Sequence, residues 1–301
     1  MIDYILLAAS ILSDLFACGI LRNWFCKKYI KHQVDLQMFN AASSLVSAAA
    51  VAGICLCASG ISVPSMFTVW MGIVFGIATA LCAIFNMKAL ECGPLSYTKI
   101  IISCSMIIPA LAGMLFFEEE AISAWQYIGI MCMVVSFVCA VDKKDEKSGA
   151  SFRWLFFCLG AFAFCGSVGI MQKIHQSSAY KKEFGVFLII AFMASAMLSL
   201  CAAFACRVKT GERITLLDAG QRKGFWGITL ACGIGIAFCN AINIYLSGVI
   251  DAILLFPVLN GGSMLLTSAA GFLLWKEKFS RKQYVGLALG ILAIFLLCAG
   301  G

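Results

Sequence analysis

Glu120-Ala-Ile-Ser123-Ala-Trp-Gln126-Tyr127-Ile-Gly129 and Glu277-Lys-Phe-Ser280-Arg-Lys-Gln283-Tyr284-Val-Gly286 hold the same five residues at the same spacing, 157 positions apart. Each stretch lies between two long apolar runs. In each, the serine and the glutamine three residues later have capping-box spacing: the hydroxyl can accept from a backbone N–H three residues ahead while the glutamine reaches back. Both stretches therefore read as helix entries. Asn86 and Asn243 are separated by the same 157 residues, which carries the repeat back through at least two helices per half.

The composition sets the solvent for these helices. Of 301 residues, 62% are hydrophobic and 12% charged, against roughly 45–50% and about 25% in soluble domains. That is more apolar surface than a water-facing globule can hide. A bilayer core about 30 Å thick needs about 20 apolar residues at about 1.5 Å rise each. Apolar runs at 4–21, 39–59, 66–87, 100–117, 125–141, 154–172, 184–206, 224–250, 252–275 and 283–301 meet that need. The runs are apolar on every face rather than alternating, which excludes barrel strands. The expectation is an all-α integral membrane protein with ten transmembrane helices in two five-helix repeats. The halves would span 1–141 and 154–301, joined by a polar cytoplasmic linker at 142–153. The first run lacks a basic flank and a small-residue cleavage site, so it reads as a retained helix rather than a signal peptide.

An odd number of helices per half inverts the second half relative to the first. The basic residues agree. Connections after helices 1, 3, 5, 7 and 9 hold 19 of the 22 Lys and Arg, leaving Lys173, Lys181 and Lys182 for the other side. The positive-inside rule makes the basic side cytoplasmic and places both termini outside, in the plasma membrane. The formal charge of +7 then reflects loops facing anionic lipid, not nucleic acid. Most of the 16 cysteines sit inside apolar runs and read as small buried hydrophobes with free thiols.

Two inverted five-helix halves, each with a glutamate followed by Ser-x-x-Gln-x-x-Gly before a last apolar helix, resemble the drug/metabolite transporter superfamily, in its ten-helix EamA-type branch. The resemblance covers nearly the whole chain. It implies a secondary carrier that alternates access around a central cavity and exports amino acids, other metabolites or drugs. Ten-helix members commonly keep both termini inside, so the charge bias here departs from the family pattern.

Asp14 is the sharpest candidate for chemistry. An ionised carboxylate at mid-bilayer costs about 2.5–3.5 kcal/mol even on insertion scales, so it should face protein or a cavity. Two functions fit: a proton-coupling carboxylate, or a counter-ion for a cationic substrate. Its placement is similar to the acid in the first helix of small multidrug-resistance relatives, although helix six holds no acidic counterpart. The structural alternative is a carboxylate bonded to Ser10, Ser13 or a neighbouring helix for packing.

Asn86, Asn240, Asn243 and Asn260 can each donate and accept, which suits a zwitterionic or polyhydroxylated solute and equally suits interhelical bonding. The related pair Asn86 and Asn243 fits the second role better. Asn260, followed by Gly261, Gly262 and Ser263, fits the first, because glycine lets a ligand approach backbone groups. Ser103 and Ser105 would line the path from helix four. Lys99 resembles binding-site lysines of anion-carrying superfamily members, with snorkelling to the interface as the alternative. Gly72-x-x-x-Gly76 and Gly286-x-x-x-Gly290 would let helices three and ten pack closely within the chain or across a homodimer. Pro109 and Pro257 could kink helices four and nine.

Membrane-enzyme chemistry is not indicated. His32 and His175 both fall in polar connections, leaving no metal cluster or Ser–His pair in the spans. No nucleotide fold or cofactor motif fits the short connections. The reading is a secondary-active transporter of a small polar organic solute, with proton exchange at Asp14. A channel-like permease is the alternative, and near-duplicate inverted halves favour alternating access over it.

Overall fold

The computed structural model describes residues 2–30, 32–58, 63–92, 98, 101–116, 123–140, 152–211, 214–215, 222–275 and 280–299. Lys99, Glu118–Glu120, Glu277 and nearly all of the expected linker lie outside these; the linker's last residue, Arg153, falls in the first turn of a helix. Among the described residues every regular element is helical: α1 Ile2–Asp14, a π-helical segment Leu15–Arg22, α2 Asn23–Tyr29, α3 Gln33–Ala58 and α4 Met66–Cys92. Then come a 3-10 turn Cys104–Met106, α5 Ile107–Phe116, α6 Ala124–Ala140, α7 Phe152–Ser177, a 3-10 turn Lys181–Glu183, α8 Phe184–Thr210, α9 Arg222–Ser247, α10 Ala252–Trp275 and α11 Arg281–Ala299.

Seven of these stretches are long and apolar enough to cross a membrane. Ile101–Gly113, Ala124–Cys139 and Ala252–Thr267 are shorter apolar helices. The chain is an all-helical membrane protein. Backbone groups in lipid must bond within their own segment, which only helices and closed barrels permit.

The helix boundaries follow local chemistry. At α6 the Ser123 N–H donates to Gln126 Oε1 at 2.9 Å while the Gln126 N–H donates to Ser123 Oγ at 3.3 Å. At α11 the Ser280 and Gln283 pair repeats this at 2.8 and 3.4 Å. Both capping boxes expected from the sequence are thus formed. α8 ends on Gly211, whose φ of 69° is left-handed and whose N–H caps Arg207 O at 2.9 Å. That conformation is open to glycine at no steric cost. Pro109 cannot donate to Ser105 O, and the chain just before α5 tightens into the 3-10 turn.

The chain forms two compact units, Met1–Ala80 with His175–Tyr245 and Leu81–Ile174 with Leu246–Gly301. Each unit draws helices from both sequence halves, so compactness and the sequence repeat divide the chain differently.

In the first unit α3 and α8 run antiparallel over their length. Asp35, near the start of α3, accepts from the Thr215 N–H at 2.9 Å and from its hydroxyl, while Cys55 near the other end abuts Gly185 at the start of α8. α4 crosses α8 on its two glycines. A Cβ at Gly72 would lie 3.0 Å from Ile190 and from Phe187 O; one at Gly76 would lie 2.8 Å from Ala194 Cβ and nearer still to Ala191 O. α9 packs on α3 in the same manner, with a Cβ at Gly233 reaching 2.6 Å from Val46 Cβ and 2.8 Å from Ser43 O. Phe25, Phe39, Phe225 and Cys232 form a buried cluster at one end.

In the second unit α6 and α11 run antiparallel. Ser136 Oγ donates to Gly286 O at 2.6 Å, and Gly129 faces Ala293 O and Leu297. The contact is reciprocal. Gly129 and Gly286 stand 157 apart, as do Ser136 and Ala293. The glycine face of α11 is therefore covered by α6, and also by Leu265 of α10 against Gly290. Gly261 lies under Met133, with a Cβ there 2.6 Å from Met133 Sδ. Its small size makes room for α6, and its backbone is covered rather than offered to a ligand. At one end, buried Trp154 donates to Thr98 Oγ1 at 2.8 Å beside Cys158 and Ala89.

Candidate functional site

Asp14 is the last residue of α1, at the point where the α-helix passes into the π-helical segment. Segments of π-helix are rare and concentrate at functional sites, because the wider turn redirects side chains and backbone groups. Here the widened turn leaves Ala17 O to accept the thiol of Cys232 on α9 at 3.4 Å. Gly235 on α9 makes the approach close, since a Cβ there would lie 2.7 Å from Ala17 Cβ.

The serines beside Asp14 are committed elsewhere. Ser13 Oγ donates to Gly235 O at 3.0 Å. Ser10, fully buried, donates to Asn243 Oδ1 at 2.5 Å and lies 3.4 Å from Cys239 Sγ. Neither hydroxyl gives its proton to the carboxylate. Instead the Asp14 side chain is hydrogen-bonded to Cys18, one helical turn on, and its charge acts on Cys239 across the helix pair. Asn243 Nδ2 also approaches Cys239 Sγ at 3.5 Å. Asp14, Ser13 and Asn243 are thereby brought into one polar cluster with Ser10, Cys18 and Cys239, all between α1 and α9. Asp14 thus stands among thiols and hydroxyls where α1 meets α9, and carboxylates inside membrane spans mark proton and substrate paths.

The second unit holds a matching cluster. Cys82 of α4 donates to Ala161 O of α7 at 3.7 Å, and Cys165 is hydrogen-bonded to Cys82 and to Ser105. Cys82 and Cys239 stand 157 apart. Cys239 sits on Ser10 and faces Asp14; Cys82 sits on Ala161 and faces Cys165. Cys165 stands four residues after Ala161, as Asp14 stands four after Ser10.

The remaining candidates make other contacts. Asn240 is half-buried and bonds its own helix at Ile236 O, 2.9 Å away. Asn260 is exposed and bonds Phe256 O at 2.9 Å within α10. Ser103 opens the 3-10 turn before α5 and Ser105 within it is buried. Asn86 and Ser263 are half-buried in the second unit. Lys99 lies outside the described residues.

His175 differs most from the sequence reading. The helix expected to stop at 172 continues through Ser177, which carries His175 into its last turn, where it is fully buried. The motif Ala-x-Cys-x-x-x-Asn at 80–86 and 237–243 also passed unnoticed. It would have located Cys82 and Cys239 as a repeat pair beside Asn86 and Asn243.

No family model matches the chain. A stretch of 200 residues is 24% identical to an uncharacterized protein of Haemophilus influenzae, covering 64% of this chain and 62% of that protein. The chain thus matches less than two thirds of that relative's length. A solved crystal structure, 14% identical, aligns over 98% of this chain and 97% of its own with a TM-score of 0.74. At that identity the likeness is one of fold.

Proposed function

We propose that this protein is a secondary-active transporter of a small polar organic solute, an EamA-type member of the drug/metabolite transporter superfamily with ten spans in two inverted halves. The observation that carries the reading is Asp14: a carboxylate at an α-to-π junction within a membrane helix, bonded to a thiol and facing a second helix. A carboxylate within a membrane span persists only where protein or a cavity faces it, and such groups mark proton and substrate paths.

Paired contacts support the inverted halves. Ser136 on Gly286 and Gly129 on Ala293 repeat at the 157-residue offset in both partners, and Gly76 and Gly233, also 157 apart, each bring their helix close to another, α8 and α3. Such reciprocity is what a two-fold relation between repeats produces. Within each unit, meetings of chain ends support alternation of the connections: in the first, Asp35 meets Thr215 and Ser65 meets Glu183; in the second, Thr98 meets Trp154 and Lys173 meets Ile250 O. By the basic bias both termini lie outside the plasma membrane.

The test is Asp14→Asn in proteoliposomes loaded with a pH-sensitive dye and offered pooled amino acids and drug-like cations. The wild type should give saturable, solute-dependent proton flux, and the variant should lose it while remaining folded. Unchanged pH-dependent flux in the variant would remove Asp14 from the coupling role. Linear, unsaturable conductance in the wild type would favour the channel reading. A carboxy-terminal reporter active only in the cytoplasm would overturn the orientation.

A further inference from the structure

His175, at the end of α7, is fully buried in the first unit, and its Nδ1 has no hydrogen-bond partner. The ring is held between Phe67 of α4 and Phe187 of α8, with centroids 6.3 and 4.5 Å away. Its Nε2 lies 3.4 Å from Thr68 Oγ1. Thr68 in turn is hydrogen-bonded to the Glu183 carboxylate. That carboxylate also accepts the Ser65 N–H at 2.9 Å and the Ser65 hydroxyl at 2.8 Å, where the N-terminus of α4 favours negative charge.

With the ring proton assigned to Nε2, no N–H or O–H of the network is left without an acceptor, Ser65 Oγ also reaching Thr68 Oγ1 at 3.0 Å. Nε2–H donates to Thr68, the Thr68 hydroxyl donates to Glu183, and both Ser65 donors end on the same carboxylate. Nδ1 is then a bare lone pair: a buried base with a carboxylate one hydroxyl away. The charged and titratable groups around it are few. Glu183 faces it from the turn before α8. α4 presents Phe67 and Thr68 to it, and α8 presents Phe187. Tyr180 stacks on Phe67, and Lys181 and Lys182 point outward as exposed side chains.

We propose that neutral His175 latches the ends of α4, α7 and α8 together and that a proton taken up at its Nδ1 releases them. The proton comes from water. In the latched state the ring is neutral, because imidazolium inside the aromatic sandwich would be desolvated with no acceptor for its Nδ1–H. Taking up a proton requires the ring to leave the sandwich, so acid opens the junction. On the outer face inferred above, an acidic exterior would unlatch this end. The site does not depend on whether the chain carries a solute.

Amide hydrogen exchange on the full-length wild type in detergent, corrected for intrinsic pH dependence, tests this at pH 7.5 and 5.5. A group with an ordinary histidine pKa of about 6.5 when open, and neutral when latched, makes opening about tenfold more frequent at the lower pH. Exchange at 63–69 and 175–187 should rise by that factor. In His175→Gln the dependence should vanish, and in His32→Gln it should persist. Less than a twofold change in the wild type overturns the proposal. So does a tenfold change retained in a folded His175→Gln. Should that variant fail to fold, the wild-type measurement alone decides.

Discussion

Gly76→Ala measures how closely α4 and α8 are held. The added methyl would sit 2.8 Å from Ala194 Cβ and still nearer to Ala191 O. The second obstacle is backbone, so no rotamer change relieves it and the helices must part by a few tenths of an ångström or more. Overpacking of this sort costs about 1–3 kcal/mol, and a rigid backbone oxygen places it at the upper end. Alanine also recovers about 1 kcal/mol of helix propensity lost at glycine, so the proper reference is another glycine in a helix. Gly53 of α3 is exposed, and a Cβ there meets nothing within 4 Å. The difference between Gly76→Ala and Gly53→Ala cancels propensity and isolates the clash at about 2–3 kcal/mol. Reversible unfolding in mixed micelles, titrated with SDS, reads this difference directly. The repeat mate Gly233→Ala, facing Ser43 O and Val46, should behave like Gly76→Ala. Stabilities of Gly76→Ala and Gly53→Ala within about 0.5 kcal/mol of one another would refute the close α4–α8 crossing.

Four further outcomes are expected. Gly185→Cys should form an intramolecular disulfide with native Cys55 under mild oxidant, because a Cβ at 185 falls against Cys55 Sγ; peptide mapping that finds no 55–185 link would contradict the antiparallel α3–α8 pair. Ser136→Ala should cost only about 0.6 kcal/mol and no more than about 1.7, the range of hydrogen bonds within membrane proteins; a loss of several kcal/mol on SDS titration would mean that the bond to Gly286 O organises the α6–α11 pair. Ser280→Ala should cost about 1 kcal/mol by removing a reciprocal cap, and Ser280→Asp should restore most of it; thermal unfolding in detergent checks both, and an equal loss in the aspartate variant would rule out capping. Cys165→Asp should place a second carboxylate opposite Cys82, and in the flux assay for Asp14 a pH profile altered by this change would support the pairing of the two clusters.

The long apolar helices were legible because their causes are local, whereas α2 and the π-helical segment were not read from the sequence. Apolar length and serine–glutamine spacing act within a few residues, and lipid forces each segment to satisfy its own backbone. The close-packed faces at Gly72, Gly76, Gly286 and Gly290 were legible as faces, since small residues four apart align on one side of a helix. Their partners were not. Whether Gly290 meets another copy or Ser136 depends on contacts between residues far apart in sequence.

The candidate site divides along the same line. Asp14 stood out from the sequence because a charge in an apolar run is costly wherever the helix packs. That Ser10 and Ser13 turn to Asn243 and Gly235 instead, that Cys18 bonds the carboxylate, and that Cys165 bonds Cys82 all depend on how α1 meets α9 and α7 meets α4. His175 is the clearest instance. Its sequence neighbours are polar, so it reads as a loop residue. Only the approach of Phe67 and Phe187, 108 and 12 residues away, excludes water from the ring and turns an ordinary histidine into a buried base.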